Sequence, residues 1–302
     1  MCIRRRARAA AGSVAVLAAV AVAVPGARAQ ASAERGARLA ADGMVRIAAG
    51  DGRVRVTTWA RDSVWARADF QGSSGAVELV GDSHLAKLSI QRTDTGAAMP
   101  PIDVEVRVPQ RSSVWVMGRE ADVDVSGVTG AVEVSTGGGP VRVDGAPRSV
   151  HAETIDGNVE LDLASCPRVV AKSATGWIVM RGDVADAELS SVSGRLITGG
   201  DHFHRGRLTT VTGGVRFVGA LAAGGSLEIA THSGAVRLRV PPDVSADFDL
   251  TSVNGTIENQ LGRARASPGE GGRGARLRLT AGRGGAVVTV NTFKGRIELW
   301  SP

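Results

Sequence analysis

Apolar and polar residues alternate along most of the chain beyond residue 30, and glycine punctuates the alternation at near-regular intervals. In "SSVSGRLITGG" (190–200) Val192 stands two before Gly194, and Leu196 two after it. The phrase recurs as Val128-x-Gly130-x-Val132-x-Val134, Ile155-x-Gly157-x-Val159-x-Leu161 and Ala174-x-Gly176-x-Ile178-x-Met180. It returns as Val211-x-Gly213-x-Val215-x-Phe217, Gly234-x-Val236-x-Leu238, Val253-x-Gly255-x-Ile257 and Phe293-x-Gly295-x-Ile297-x-Leu299, with a partial copy at Gly139-x-Val141-x-Val143. From Gly139 the glycines step by 18, 19, 18, 19, 21, 21 and 40, the last being two steps of 20. Self-similarity at such a period marks a stacked-repeat architecture.

Alternation with period 2 after each glycine predicts a strand with one buried face. The residue before the glycine is a polar turn former in every full copy except Lys294, so a tight corner is expected there. The glycine itself is expected to supply a backbone angle that other residues resist, so Gly194→Val should destabilise the chain. No part of 31–302 sustains a helical period. The prediction is therefore an all-β chain: a β-solenoid, or right-handed β-helix-like stack, of about 19-residue two-strand coils. Hairpins closed at the "SG", "DG" and "NG" pairs of an antiparallel sandwich are the alternative, but a sandwich does not require one phrase at a near-constant step. The long step before Gly295 is expected to loosen or bulge a coil.

Three segments follow. Arg4, Arg5, Arg6 and Arg8, the apolar run Ala9–Val24, and "ARA" at 27–29 predict a cleavable signal peptide over 1–29. Residues 30–110 alternate without the steady phrase and are expected to form a β-rich cap on the solenoid, which would occupy 111–302. The mature chain has no further apolar span of membrane length. The signal places the protein outside the cytoplasm, in the periplasm or at the cell surface.

Charge and cysteine narrow the class. The formal charge is +6, and the five arginines of 1–29 have no acid to offset them, so the mature chain carries about +1. No concentrated basic stripe of a nucleic-acid binder remains; the arginines of 263–278 read as a solvated loop and strand face. Of two cysteines only Cys166 survives processing, so the fold dispenses with an intramolecular disulfide, and Cys166 reads as a small buried hydrophobe.

The glycine-anchored phrases across 123–299, the preceding strand "VEVRVP" and the export signal together resemble the DUF4097 putative-adhesin family of bacterial envelope proteins. The resemblance implies a β-helical or toast-rack stack and a surface or scaffold role near envelope-stress systems, with no catalytic residues to transfer. His232, where an apolar residue is expected, and Thr198 and Asn259, where a fourth-position apolar residue is missing, depart from the phrase.

Candidate chemistry is sparse. "GEGGRG" (269–274) matches the dinucleotide fingerprint, but that motif must open a helix, and the alternating "ARLRLT" follows. "GGRGAR" (271–276) has Arg276 where a calcium-binding nonapeptide needs aspartate. His202 and His204, two apart in "DHFH" beside Asp201, could share a metal only with a ligand from another coil. His232 is expected to be a hydrogen-bonded core or corner residue. No nucleophile elbow, zinc-protease helix or phosphate loop appears, so no catalytic, cofactor or metal site is assigned. The residues three past the glycines (Glu133, Glu160, Val179, Ile197, Arg216, Arg237, Glu258 and Glu298) should form an outward row. Trp177 and Arg195, each one past its glycine, form the candidate contact patch for a sugar or peptide. A non-enzymatic adhesin or scaffold that meets an envelope protein or glycan fits best. The alternatives are a periplasmic partner of an envelope-stress regulator and a carbohydrate-active β-helix enzyme.

Overall fold

A computed structural model describes residues 32–71, 75–92 and 101–301. Its 22 strands join in one hydrogen-bonded network, and the sole helical turn among the described residues is a 3-10 turn at Glu270–Gly272. The predicted signal segment, 1–29, lies outside them.

The period-2 alternation resolves into two stacks of parallel strands. In the first, Val114, Val132, Val150, Val169 and Ala187 are successive register partners. In the second, Val141, Val159, Ile178, Leu196, Val215 and Val236 succeed one another. Each winding of the chain contributes one strand to each stack, and the inward side chains of both stacks merge into a single buried cluster. Like sits on like: Leu161, Met180 and Phe217 share one column, broken by the buried Thr198, and Phe217 meets Phe203 edge-on at 5.7 Å. Parallel register along these windings excludes hairpins closed at the repeated glycines. Ser113–Ser126 and Val159–Ser173 each pass from one stack to the other, so with Ala131–Gly138, Ser149–Thr154 and Val141–Gly145 they close a ring of five strands.

The windings do not stack in chain order at the ends. Val236 pairs with Ile297, and Ile297 with Ile257, so the last winding (286–300) lies between 226–239 and 246–259. The N-terminal end mirrors this: 44–48 lies between 85–89 and 113–117, and Asp51–Trp59 between Ile102–Pro109 and 120–125. Antiparallel strands then cover the outer edges. Ser63–Asp69 covers Ile102–Pro109 and is itself covered by Ser32–Arg38, while Gly75–Gly81 lies on Leu85–Arg92. Ala275–Ala281 covers Ala246–Ser252. The long step before Gly295 is therefore no loosened coil. Its extra residues form the covering strand that occupies open backbone groups, which a parallel stack otherwise exposes at its end.

Candidate contact faces and the glycine corner

The repeated glycines line one corner, where the chain crosses from the first stack to the second. A Cβ built on Gly194 would clash with the carbonyl oxygen of Gly176, one built on Gly176 with that of Gly157, and one built on Gly213 with that of Gly194. Gly139, Gly157, Gly234, Gly295 and Gly255 continue the same column. Positive φ is not the reason: of these eight glycines only Gly139, at 88°, has it. The expected backbone angle is thus replaced by a steric cause, the approach of one winding's backbone to the next. Gly130 does not belong to the column. Val132 lies in the first stack, and a Cβ on Gly130 would strike Ser112.

A buried hydroxyl three residues before the glycine completes the corner. The N–H groups of Gly157, Gly176, Gly194, Gly213 and Gly234 donate to Thr154, Ser173, Ser191, Thr210 and Thr231 at 2.8–3.1 Å. Ser173 Oγ in turn donates to the carbonyl of Gly157 at 2.8 Å, and Ser252 Oγ to that of Gly295 at 2.7 Å. The turning backbone leaves this N–H without a ladder partner in a dry corner, and the hydroxyl supplies one. Ser191→Ala is expected to cost about 1–3 kcal/mol by stranding the Gly194 N–H, while Ser191→Thr is tolerated. Urea denaturation midpoints check this.

Along the glycine column the large apolar residue two before the glycine points outward, whereas Val128, before Gly130, is buried. Ile155, Val192, Val211, Phe293 and Val253 are all exposed, Ile155 by 59%. The backbone stacks them: Ala174 N donates to Ile155 O, Val192 N to Ala174 O, Val211 N to Val192 O and His232 N to Val211 O, each at 3.1 Å. His232 therefore sits on an exposed ridge rather than in the core, with its ring stacked on Phe293 at 4.9 Å. These residues face outward because the chain changes direction at the corner and the strand's parity ends there.

Both candidate contact residues lie on the outer face of the second stack. Trp177, 37% exposed, overhangs a groove of about 690 Å³ lined by Thr175, Val179, Arg195, Ile197 and Gly214. Asn158 Oδ1 accepts from Trp177 N at 3.1 Å, and Arg195 O from Ile178 N at 2.9 Å, which fixes the two residues in neighbouring windings. Glu160, Val179, Ile197, Arg216, Arg237, Glu298 and Glu258 form one ladder on this face, as expected, whereas Glu133 belongs to the first stack.

No family model matches the chain, and no curated protein matches it, so membership of DUF4097 is not shown. Solved structures do align. A "putative adhesin" from Bacteroides fragilis NCTC 9343 covers 89% of this chain and 97% of its own, at TM-score 0.46 and 10% identity. Another from Parabacteroides merdae ATCC 43184 covers 89% and 96%, at TM-score 0.39 and 8% identity. A "putative lipid binding protein" from Parabacteroides distasonis ATCC 8503 covers 89% and 96%, at TM-score 0.37 and 8% identity.

The remaining candidates fall outside any assembled site. The side chains of Asp201 and His202 are not among those described, His204 is exposed, and no cluster of three metal-ligating residues occurs among the described residues. The "GEGGRG" loop leads into strand Ala275–Ala281, not a helix. Cys166 is buried, and burial pushes its thiol pKa up. No helix among the described residues is long and apolar enough to cross a membrane. On the first stack's outer face the arginines find acids: Arg207 with Glu228 at 2.9 Å, and Arg205 with Asp186 at 3.8 Å. The hydrogen bond from Lys172, with a smaller one from His151, holds Glu153 below the usual carboxylate range. Arg276 and then Arg278 do the same for Asp249.

Proposed function

We propose that the chain is an exported, non-enzymatic envelope protein, a β-solenoid over 111–302 capped by 30–110, whose outer surfaces make contact as an adhesin or scaffold does. One observation carries this reading: the exposed apolar ridge of Ile155, Val192, Val211, Phe293 and Val253, held in line along the glycine corner. Large exposed apolar side chains gathered along one edge, interrupted only by Ala174 and His232, mark a surface that is covered in use. Apolar residues are not needed for folding at Val192 and Val211, where the hydroxyls of Ser191 and Thr210 beneath them secure the corner.

The mature chain, residues 30–302, is expected to be retained on envelope preparations of the producing cell. The double variant Val192→Asp, Val211→Asp should lose retention by about tenfold or more at unchanged melting temperature. Retention by the variant equal to that of the parent would contradict the reading. So would polysaccharide hydrolysis by the purified chain that a carboxylate substitution abolishes, since that would restore the enzyme. Retention on inner-membrane vesicles alone favours the periplasmic-partner form of the proposal; retention on intact cells favours the adhesin.

A further inference from the structure

We propose that the outer face of the second stack binds an anionic polysaccharide, one with carboxylates on its sugar rings, laid along the stack beside Trp177. Four successive windings each present an outward arginine with no acid bound to it: Arg181, Arg195, Arg216 and Arg239, the last winding also carrying the paired Arg237. None of the four has an ion pair or a side-chain hydrogen bond among the described residues, although acids are near. Glu160 is taken by Arg142, Glu298 by Arg237, and Glu258 by Arg296. Asp162, the register partner of Arg181, is exposed and forms no bridge to it.

Between these cations the surface is low and apolar. Gly199 and Val218 separate Arg181 from Arg239 in one ladder, Val179 and Ile197 precede Arg216 in the next, and Gly214 follows Arg195 at the margin. Trp177 stands at one end of this strip, and Trp300, the register partner of Arg239 on its far side, at the other. At about 4.8 Å per winding the four arginines span roughly 14 Å. Unpaired like charges at that spacing repel, and a polyanion lying across them removes the repulsion.

The shape of the face selects among polyanions. Each of these strands is hydrogen-bonded on both sides, so no edge is free to take up an acidic peptide as an added strand. Recognition must come from side chains above the sheet. Guanidinium forks match carboxylates in bidentate fashion, and an indole offers a flat apolar face to the C–H side of a sugar ring. Trp177 and Trp300 lie four windings apart, roughly 19 Å, too far to stack adjacent bases of a single-stranded nucleic acid.

The proposal rests on the contact role proposed above but not on the apolar ridge. Oligogalacturonate is the probe, titrated calorimetrically into the mature chain at low and at physiological salt, beside neutral dextran, poly-glutamate and oligo-dT. Oligogalacturonate should bind, more weakly as salt rises, and dextran should not. Trp177→Ala and Arg195→Gln should each weaken binding about tenfold, whereas Arg237→Gln, already paired with Glu298, should change it less than about twofold. If Trp177→Ala lowers the melting temperature, Trp177→Phe and Arg195→Gln carry the test. Absence of oligogalacturonate binding at low salt overturns the proposal. So does binding indifferent to both Trp177 and Arg195, or tighter binding of poly-glutamate or oligo-dT. The ridge variant Val192→Asp, Val211→Asp should keep oligogalacturonate binding intact, so either reading can fail while the other stands.

Discussion

Gly194→Ala is expected to destabilise the chain by about 3 kcal/mol or more, lowering its melting temperature by on the order of 10 °C. The added methyl carbon would clash with the carbonyl oxygen of Gly176, a backbone atom of the preceding winding. A flexible side chain could turn away from such a contact; a backbone carbonyl in the short bend between strands Val159–Ser173 and Ile178–Ser191 cannot. Relief requires parting these two windings, which weakens the Ile178–Leu196 pairing and the ladder that follows it. Gly262→Ala is the matched control. No heavy atom lies within 4 Å of the position its Cβ would take, and its backbone is not in the positive-φ region. That variant should stay within about 0.5 kcal/mol of the parent. Equal melting temperatures for the two variants would show that close approach of windings is not what the glycine column serves.

Truncation after Arg283 should do more damage than loss of a terminal segment ordinarily does. Residues 286–300 form the last winding in the chain but lie inside the stack, with Ala286, Val288, Val290, Ile297 and Leu299 buried. Losing them removes buried apolar contact worth on the order of 10 kcal/mol and leaves 246–281 without its attachment to 226–239. The expected result is a chain whose residues 240–283 exchange backbone amides at the rate of an unfolded segment, while 113–219 stays protected. If 246–259 kept its protection after the truncation, it would be packing directly on 226–239, and the interleaved order would be wrong.

Much of this arrangement was legible in the sequence because a parallel stack forces periodicity on the chain. Val159, Ile178, Leu196, Val215 and Val236 must each be apolar, and each must sit two past a glycine, because each lies on its predecessor. The cause of the glycine was not legible from the glycine alone. A residue required for positive φ and one required for absence of a Cβ look the same in one sequence. A second signal was present: Thr154, Ser173, Ser191, Thr210, Thr231, Ser252 and Thr292 all stand three before their glycines. In all of these but Thr292 the hydroxyl bonds the turn backbone, and the S/T-x-x-G spacing would have located the corner.

Order was harder to read than register. Local alternation fixes which face of a strand is buried, but nothing in "VTVNTFKGRIELW" distinguishes an outermost winding from one slotted between two others. Only the long step before Gly295 hinted at it, and that step fits a bulge as well as a covering strand. The contact face shows the same division. Parity placed Trp177 and Arg195 outward, yet the shortage of acids for Arg181, Arg216 and Arg239 emerges only once Glu298 and Glu258 are brought in from the end of the chain.

Disulfide trapping tests the interleaved stack most directly. Arg237 and Glu298 are register partners in adjacent windings, whereas Glu258 lies one winding beyond Glu298. Cysteine pairs cross-link only where their Cα atoms lie within about 7 Å, which adjacent windings satisfy and alternate ones do not. In a Cys166→Ser background, Arg237→Cys with Glu298→Cys should oxidise readily to an intramolecular disulfide, and Arg237→Cys with Glu258→Cys should remain reduced. The opposite outcome, a bridge from 237 to 258 and none to 298, would mean that the windings follow chain order and would contradict the interleaved stack.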